Sequence, residues 1–130
     1  MSMDCTTARI RVLIVDDDPA YGQVLDVALS ANERIEVVGV AADGLEALEL
    51  AAAERPDVVV LDINMPRMDG FEAALALRAM LPGTRVFMNS AVDHDENRAR
   101  AAHVGACHFL VKGLDLDAVA HTLCALPVAA

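Results

Sequence analysis

Short apolar runs rich in β-branched residues alternate with amphipathic stretches five times along this chain. The runs are IRVLIV (10–15), IEVVGV (35–40), DVVVLD (57–62), TRVFMN (84–89) and CHFLV (107–111). Near-continuous apolar runs of this length suit parallel strands covered on both faces. The stretches between them predict helices. In the first, Tyr21, Val24, Leu25 and Ala28 recur at helical spacing, with Pro19 suited to the first turn and Asp18 to the N-cap. The second runs from about Asp43, a cap residue, to Glu54, with Pro56 beyond its end. The third covers about Phe71 to Met80, ahead of an LPGT turn. The fourth covers about Asp95 to Val104 and stops at Gly105. The fifth puts Leu116, Val119, Ala120 and Leu123 on one face, with Asp115 as its cap. Five βα units predict an α/β fold, a doubly wound sheet with right-handed crossovers. No internal boundary or repeat interrupts residues 9–126. Residues 1–8 read as an N-terminal tail and 127–130 as a C-terminal tail or the start of a linker.

In such sheets ligands bind outside the carboxyl ends of the strands. Those ends carry Asp16, Asp17 and Asp18 after the first strand, and Asp62 followed by Asn64 at the third. Ser90 and Ala91 follow the fourth, and Lys112 and Gly113 the fifth. A single Asp after a strand is usually a helix cap, and Asp18 before Pro19 fits that role. Asp16 and Asp17 do not both fit it. Carboxylates about 4 Å apart repel by about 4 kcal/mol per pair at an effective dielectric near 20. One lysine does not offset three such repulsions, so a hard cation is expected, and Mg²⁺ suits oxygen ligands. A Mg²⁺ site with a lysine and a hydroxyl can move a phosphoryl group. Asp62, on the central strand, is the best placed nucleophile.

Composition narrows the partners. The 130 residues include 55% apolar ones, enough for one core, and aromatics are only 3%. Ten basic against twenty acidic residues give a net charge of −10, which repels nucleic acid and anionic membranes. No apolar run reaches the ~18 residues of a membrane span. The N-terminus lacks the long apolar stretch of a secretory signal. Cys5, Cys107 and Cys124 form no CxxC pair and read as reduced thiols in a cytoplasmic protein. The four histidines show no ligand spacing.

At this point the residues resemble the receiver domain of two-component response regulators, over about Arg9 to Leu126. VLIVDDDP looks like that family's first strand with its acidic pair. VVVLDINMPRMDG looks like its phosphoacceptor strand and loop, VFMNSA its switch-hydroxyl strand, and GACHFLVKG its last strand with aromatic and lysine. Each is weak alone; all four in order are specific. The resemblance implies a flavodoxin-like three-layer sandwich with sheet order 2-1-3-4-5. It implies Asp62 as phosphoacceptor and Mg²⁺ held by Asp16, Asp17, Asp62 and the backbone carbonyl of Asn64. Lys112 would pair with the phosphoryl group, Ser90 would bond to it, and Phe109 would be the switch aromatic. The donor would be a sensor histidine kinase, a phosphotransfer protein or a small phosphodonor. The surface of the fourth helix, fifth strand and fifth helix would signal to an output domain or effector, or form a homodimer on phosphorylation. Such a chain catalyses only its own phosphorylation and dephosphorylation.

Three positions depart from the pattern. Gly113 stands where many relatives have proline, and a cis Lys112–Gly113 bond would cost about 3–4 kcal/mol more than trans, so a looser loop is expected. Asn89 is polar where an apolar residue is usual, and Val92 is apolar near the expected phosphoryl group. Asn89-Ser90 and Lys112-Gly113 lean toward receivers that carry a helix-turn-helix output. Two other readings compete. A Mg²⁺-dependent phosphohydrolase with an aspartate nucleophile would want an acid at position 64, where Asn64 stands. A phosphorylation-independent scaffold would usually lack one of the key groups, and none is missing. Arg67 and Met68 are left unassigned by these readings, as residues that would face solvent or a kinase.

Overall fold

A computed structural model of the chain describes residues 9–113 and 116–125. Strands and helices alternate: β1 (Ile10–Val15), α1 (Pro19–Ser30), β2 (Ile35–Ala41), α2 (Gly44–Glu54), β3 (Val58–Asp62), α3 (Gly70–Met80), β4 (Arg85–Ser90), α4 (Asp95–His103), β5 (His108–Val111) and α5 (Leu116–Cys124). The five strands among the described residues form one parallel sheet in the order β2-β1-β3-β4-β5. This is the doubly wound sheet that the alternating pattern predicts, in the strand order that the family resemblance implies. Cys5, Leu126, the proposed cap Asp115 and both tails lie outside the described residues.

Strand alternation sorts the core into two layers. Leu13, Val15, Val59, Leu61 and Met88 face a cluster with Phe71 and Leu77 of α3 and Ala101 of α4. Val12, Ile14, Val60 and Phe87 face the other side, with Leu25 and Leu29 of α1 and Val119 and Leu123 of α5. Every residue of β3 is buried, as a central strand covered on both faces requires. Each fully buried leucine contributes about 1.5–3 kcal/mol over leaving it in water.

The chain runs from β1 outward to β2, then back across to β3 on the other side. The switch point therefore lies between the carboxyl ends of β1 and β3, the place where ligands bind in sheets of this kind. Caps set the loops beside it. Asp18 accepts from the Ala20 N–H at 3.1 Å, and Pro19 begins α1. Asp43 accepts from the Glu46 N–H at 2.9 Å. Asp69 and Glu72 cap α3 reciprocally, at 2.9 and 3.2 Å. Gly105 ends α4 with φ +85°, a conformation open to glycine.

One predicted face differs. Gly22, Leu25 and Leu29 are the buried residues of α1, while Val24 is 54% exposed and Val27 73%. Gly22 lies close to β2, where an added Cβ would stand 3.1 Å from Val40 Cγ1. That close approach rotates the helix and turns Val24 outward. The fourth strand also ends one residue later than predicted, so Ser90 belongs to β4.

Candidate functional site

Pairing register brings the strand-end residues together. Val15 pairs with Leu61, so Asp16 follows on beside Asp62. Asp62 pairs with Asn89, and Ser90 with Val111, which precedes Lys112. Asp16, Asp17 and Asp62 each offer a carboxylate oxygen, all within 4.8 Å of one another. Among the described residues they are the single group of this kind. Asp16 and Asp62 are buried, at 3% and 4% exposure, whereas Asp17 is exposed. The Asp18 N–H donates to Asp16 Oδ1 at 2.9 Å and orients that carboxylate.

Lys112 bridges the two buried carboxylates, with Nζ 2.6 Å from Asp16 Oδ2 and 3.1 Å from Asp62 Oδ2. Its backbone N–H donates to the Ser90 carbonyl at 2.7 Å, which ties the turn after β5 to β4. Burial pulls the ammonium's pKa down, but the Asp16 hydrogen bond and the Asp62 charge outweigh it and hold it above the usual lysine value. Burial pushes Asp62 up to about 6; the Lys112 charge opposes this and the Asp16 charge adds to it. A buried carboxylate held this far up, beside two more, is a site suited to added positive charge. The donor set is all hard oxygen, so the residues present fit Mg²⁺.

The remaining predicted residues lie around this centre. Asn64 is exposed in the loop after β3. The Ser90 hydroxyl donates to the Val92 carbonyl at 2.8 Å and accepts from the Val92 N–H at 3.1 Å, a local turn at the strand end. Phe109 is half-buried and packs on the α3/α4 core layer, with the Arg98 guanidinium 4.8 Å from its ring centroid. Gly113 has φ +87°, and no cis peptide occurs among the described residues. The turn after Lys112 is therefore built on a left-handed glycine and a trans bond.

Three residues near the site have contacts that the sequence did not reveal. The Tyr21 ring centroid lies 4.9 Å from Lys112 Nζ. Asn89 Nδ2 donates to the Tyr21 hydroxyl at 3.1 Å. Arg67 forms an ion pair with Asp43, its Nε 3.0 Å from Oδ2 and its Nη2 on the same oxygen. The only hint for Tyr21 was its place as the one tyrosine, in the first turn after the acidic run.

Comparison with known proteins agrees with this geometry. The family model described as the response regulator receiver domain matches residues 12–123. The chain is 42% identical over 104 residues to a Mycobacterium tuberculosis protein named "Probable transcriptional regulatory protein NarL", covering 80% of this chain and 48% of that one. It is 39% identical over 110 residues to protein-glutamate methylesterase/protein-glutamine glutaminase 1 of Geobacter sulfurreducens, covering 83% of this chain and 30% of that one. The chain thus spans less than half the length of these curated relatives. The signal receiver domain of NarL from M. tuberculosis superposes with a TM-score of 0.86 at 38% identity, over 90% of this chain and 94% of that domain. With its sheet order, its cluster of three aspartates and this match over most of its length, the chain belongs to the family of response regulator receiver domains.

Proposed function

We propose that Asp62 accepts a phosphoryl group from a sensor histidine kinase, a phosphotransfer protein or a small phosphodonor. The observation that carries this reading is a carboxylate at the switch point, 4% exposed, in contact with Lys112 and beside Asp16 and Asp17. An Asp62 oxygen attacks phosphorus, forming an O–P bond as the P–N bond of a phosphohistidine or the P–O bond of acetyl phosphate breaks. The leaving group departs with the electron pair. Asp16, Asp17, Asp62 and the Asn64 carbonyl would hold Mg²⁺. Bound there, Mg²⁺ supplies positive charge against the phosphoryl oxygens. Lys112 shifts from Asp62 to the phosphoryl group, guided by its Asp16 contact. The buried setting keeps bulk water away from the acceptor oxygen.

The product carries close to two negative charges and strong acceptor oxygens. Ser90 exchanges its Val92 partner for one of them, and Phe109 turns inward from under Arg98. The surface of α4, β5 and α5 then shifts population between two packings and signals to an output domain, an effector or a second copy. Catalysis is confined to the chain's own phosphorylation and dephosphorylation, in the cytoplasm. The relative named as a probable transcriptional regulatory protein supports a transcriptional output for the signal this chain carries.

Incubation with Mg²⁺ and acetyl phosphate should add one phosphoryl mass, read by intact mass spectrometry. The adduct should vanish in Asp62→Asn. A phosphoryl adduct on Asp62→Asn would remove Asp62 as the acceptor.

A further inference from the structure

We propose that Arg67 is a positioning residue. Its clasp on Asp43 holds the loop between β3 and α3 in the shape that presents the Asn64 carbonyl to a cation at Asp62. The inference rests on the metal set proposed above and adds a residue that this set does not contain.

Arg67 has φ +69°. Residues with a side chain rarely occupy this left-handed region, so something must hold the loop there. The guanidinium supplies the hold. Nε and Nη2 both reach Asp43 Oδ2, although the Arg67 side chain is 59% exposed and solvent is open to it. The receiving carboxylate is fixed, since its other oxygen caps α2 through the Glu46 N–H. The Glu46 bond and the Arg67 contact both hold the Asp43 carboxyl below its ordinary value. The neighbouring residue adds a steric lock, because Met68 lies where a Cβ on Gly44 would come within 2.7 Å of its own Cβ.

The far end of the loop is pinned to the site itself. The Gly70 N–H donates to the Ile63 carbonyl at 2.7 Å, and the Met68 N–H to the Pro66 carbonyl at 2.8 Å. A Cβ on Gly70 would collide with the Asp62 carbonyl oxygen. Asn64 therefore lies in a short span whose ends are tied to Asp62 and, through Arg67, to α2. Releasing the clasp lets the span sample other shapes. Only a fraction of them would present the Asn64 carbonyl, and apparent cation affinity falls by that fraction.

Three variants separate this role from simple stabilisation. Asp43→Asn keeps the cap but removes the ion pair. Arg67→Gly removes the guanidinium while tolerating the left-handed backbone. Arg67→Lys keeps the charge without the planar fork. Amide hydrogen exchange on the metal-free protein should show Met68 and Gly70 exchanging about three- to tenfold faster in Asp43→Asn and Arg67→Gly, with β1 and β4 amides unchanged. Mg²⁺ titration by calorimetry should show affinity lowered by about three- to tenfold in both and by less in Arg67→Lys. The gap between wild type and Asp43→Asn should narrow at ~1 M salt.

Unchanged exchange at Met68 and Gly70, or unchanged Mg²⁺ affinity with only a lower urea midpoint, would overturn the proposal. A wild-type chain that binds no Mg²⁺ would overturn it as well. Wild type that binds Mg²⁺ but takes up no phosphoryl group would overturn the phosphoacceptor reading alone.

Discussion

The Asn89 side chain donates to the Tyr21 hydroxyl at 3.1 Å, linking the end of β4 to the first turn of α1. Asn89 is 2% exposed, and its Oδ1 has no hydrogen-bond partner among the described residues. This gives the polar residue at position 89 a physical account. It meets the tyrosine whose ring faces Lys112, and it does so at the cost of one buried acceptor.

Replacing that amide with an apolar group of similar size should relieve the cost. Asn89→Val is expected to raise stability by about 1 kcal/mol, because it removes the unpartnered oxygen while the half-buried Tyr21 hydroxyl can turn to water. Tyr21→Phe should lower it by at most about 1 kcal/mol. Urea unfolding checks both. A loss of more than about 1 kcal/mol in Asn89→Val would mean that the amide is fully satisfied.

The raised Asp62 makes stability depend on pH in a definite direction. Between the ordinary carboxylate value and about 6, the folded chain keeps a proton that the unfolded chain has released. Stability from this group therefore falls as pH rises through that window and levels off above about 6. Asp62→Asn should remove the effect, stabilising by about 1–3 kcal/mol at pH 7.5 and by almost nothing near pH 4. Mg²⁺ competes with the same proton, so its affinity should climb with pH up to about 6 and then flatten. Urea midpoints and calorimetry across that range test both curves; an Asp62→Asn gain that does not shrink toward pH 4 would contradict this reading.

Gly70 packs its backbone against the residue proposed to be phosphorylated. An added Cβ would meet the Asp62 carbonyl oxygen and stand 2.8 Å from Ile63 Cα, whereas at Gly83 it would meet nothing within 4 Å. Gly70→Ala should cost about 2–4 kcal/mol and slow phosphorylation, since β3 and α3 must separate at the site. Gly83→Ala should be within about 0.5 kcal/mol of wild type with normal phosphorylation. Thermal melts and intact mass would show the contrast, and equal behaviour of the two variants would refute it.

Much of the molecule was legible before folding because its signals are local. β-branched runs mark strands, and Asp18 and Asp43 mark helix starts through bonds to N–H groups only two or three residues on. The doubly wound pattern then places Asp16, Asp62, Ser90 and Lys112 at one edge without any knowledge of side-chain contacts. The face of α1 was misread for the same reason. Helical spacing favours Val24, but a close approach between Gly22 and β2 decides which side turns inward.

The sequence by itself determined the elements, their order and the set of strand-end residues, since these follow from periodicity, capping and crossover topology. Tertiary structure alone decided how Lys112 divides itself between Asp16 and Asp62, why Asn89 is polar, and where Arg67 reaches. Asn89 and Tyr21 lie 68 positions apart, and Arg67 and Asp43 lie 24 apart. No periodicity or local propensity links positions so distant. Only the folded arrangement, which brings the end of β4 near the first turn of α1 and sets the β3–α3 loop against α2, puts those donors within reach of their acceptors.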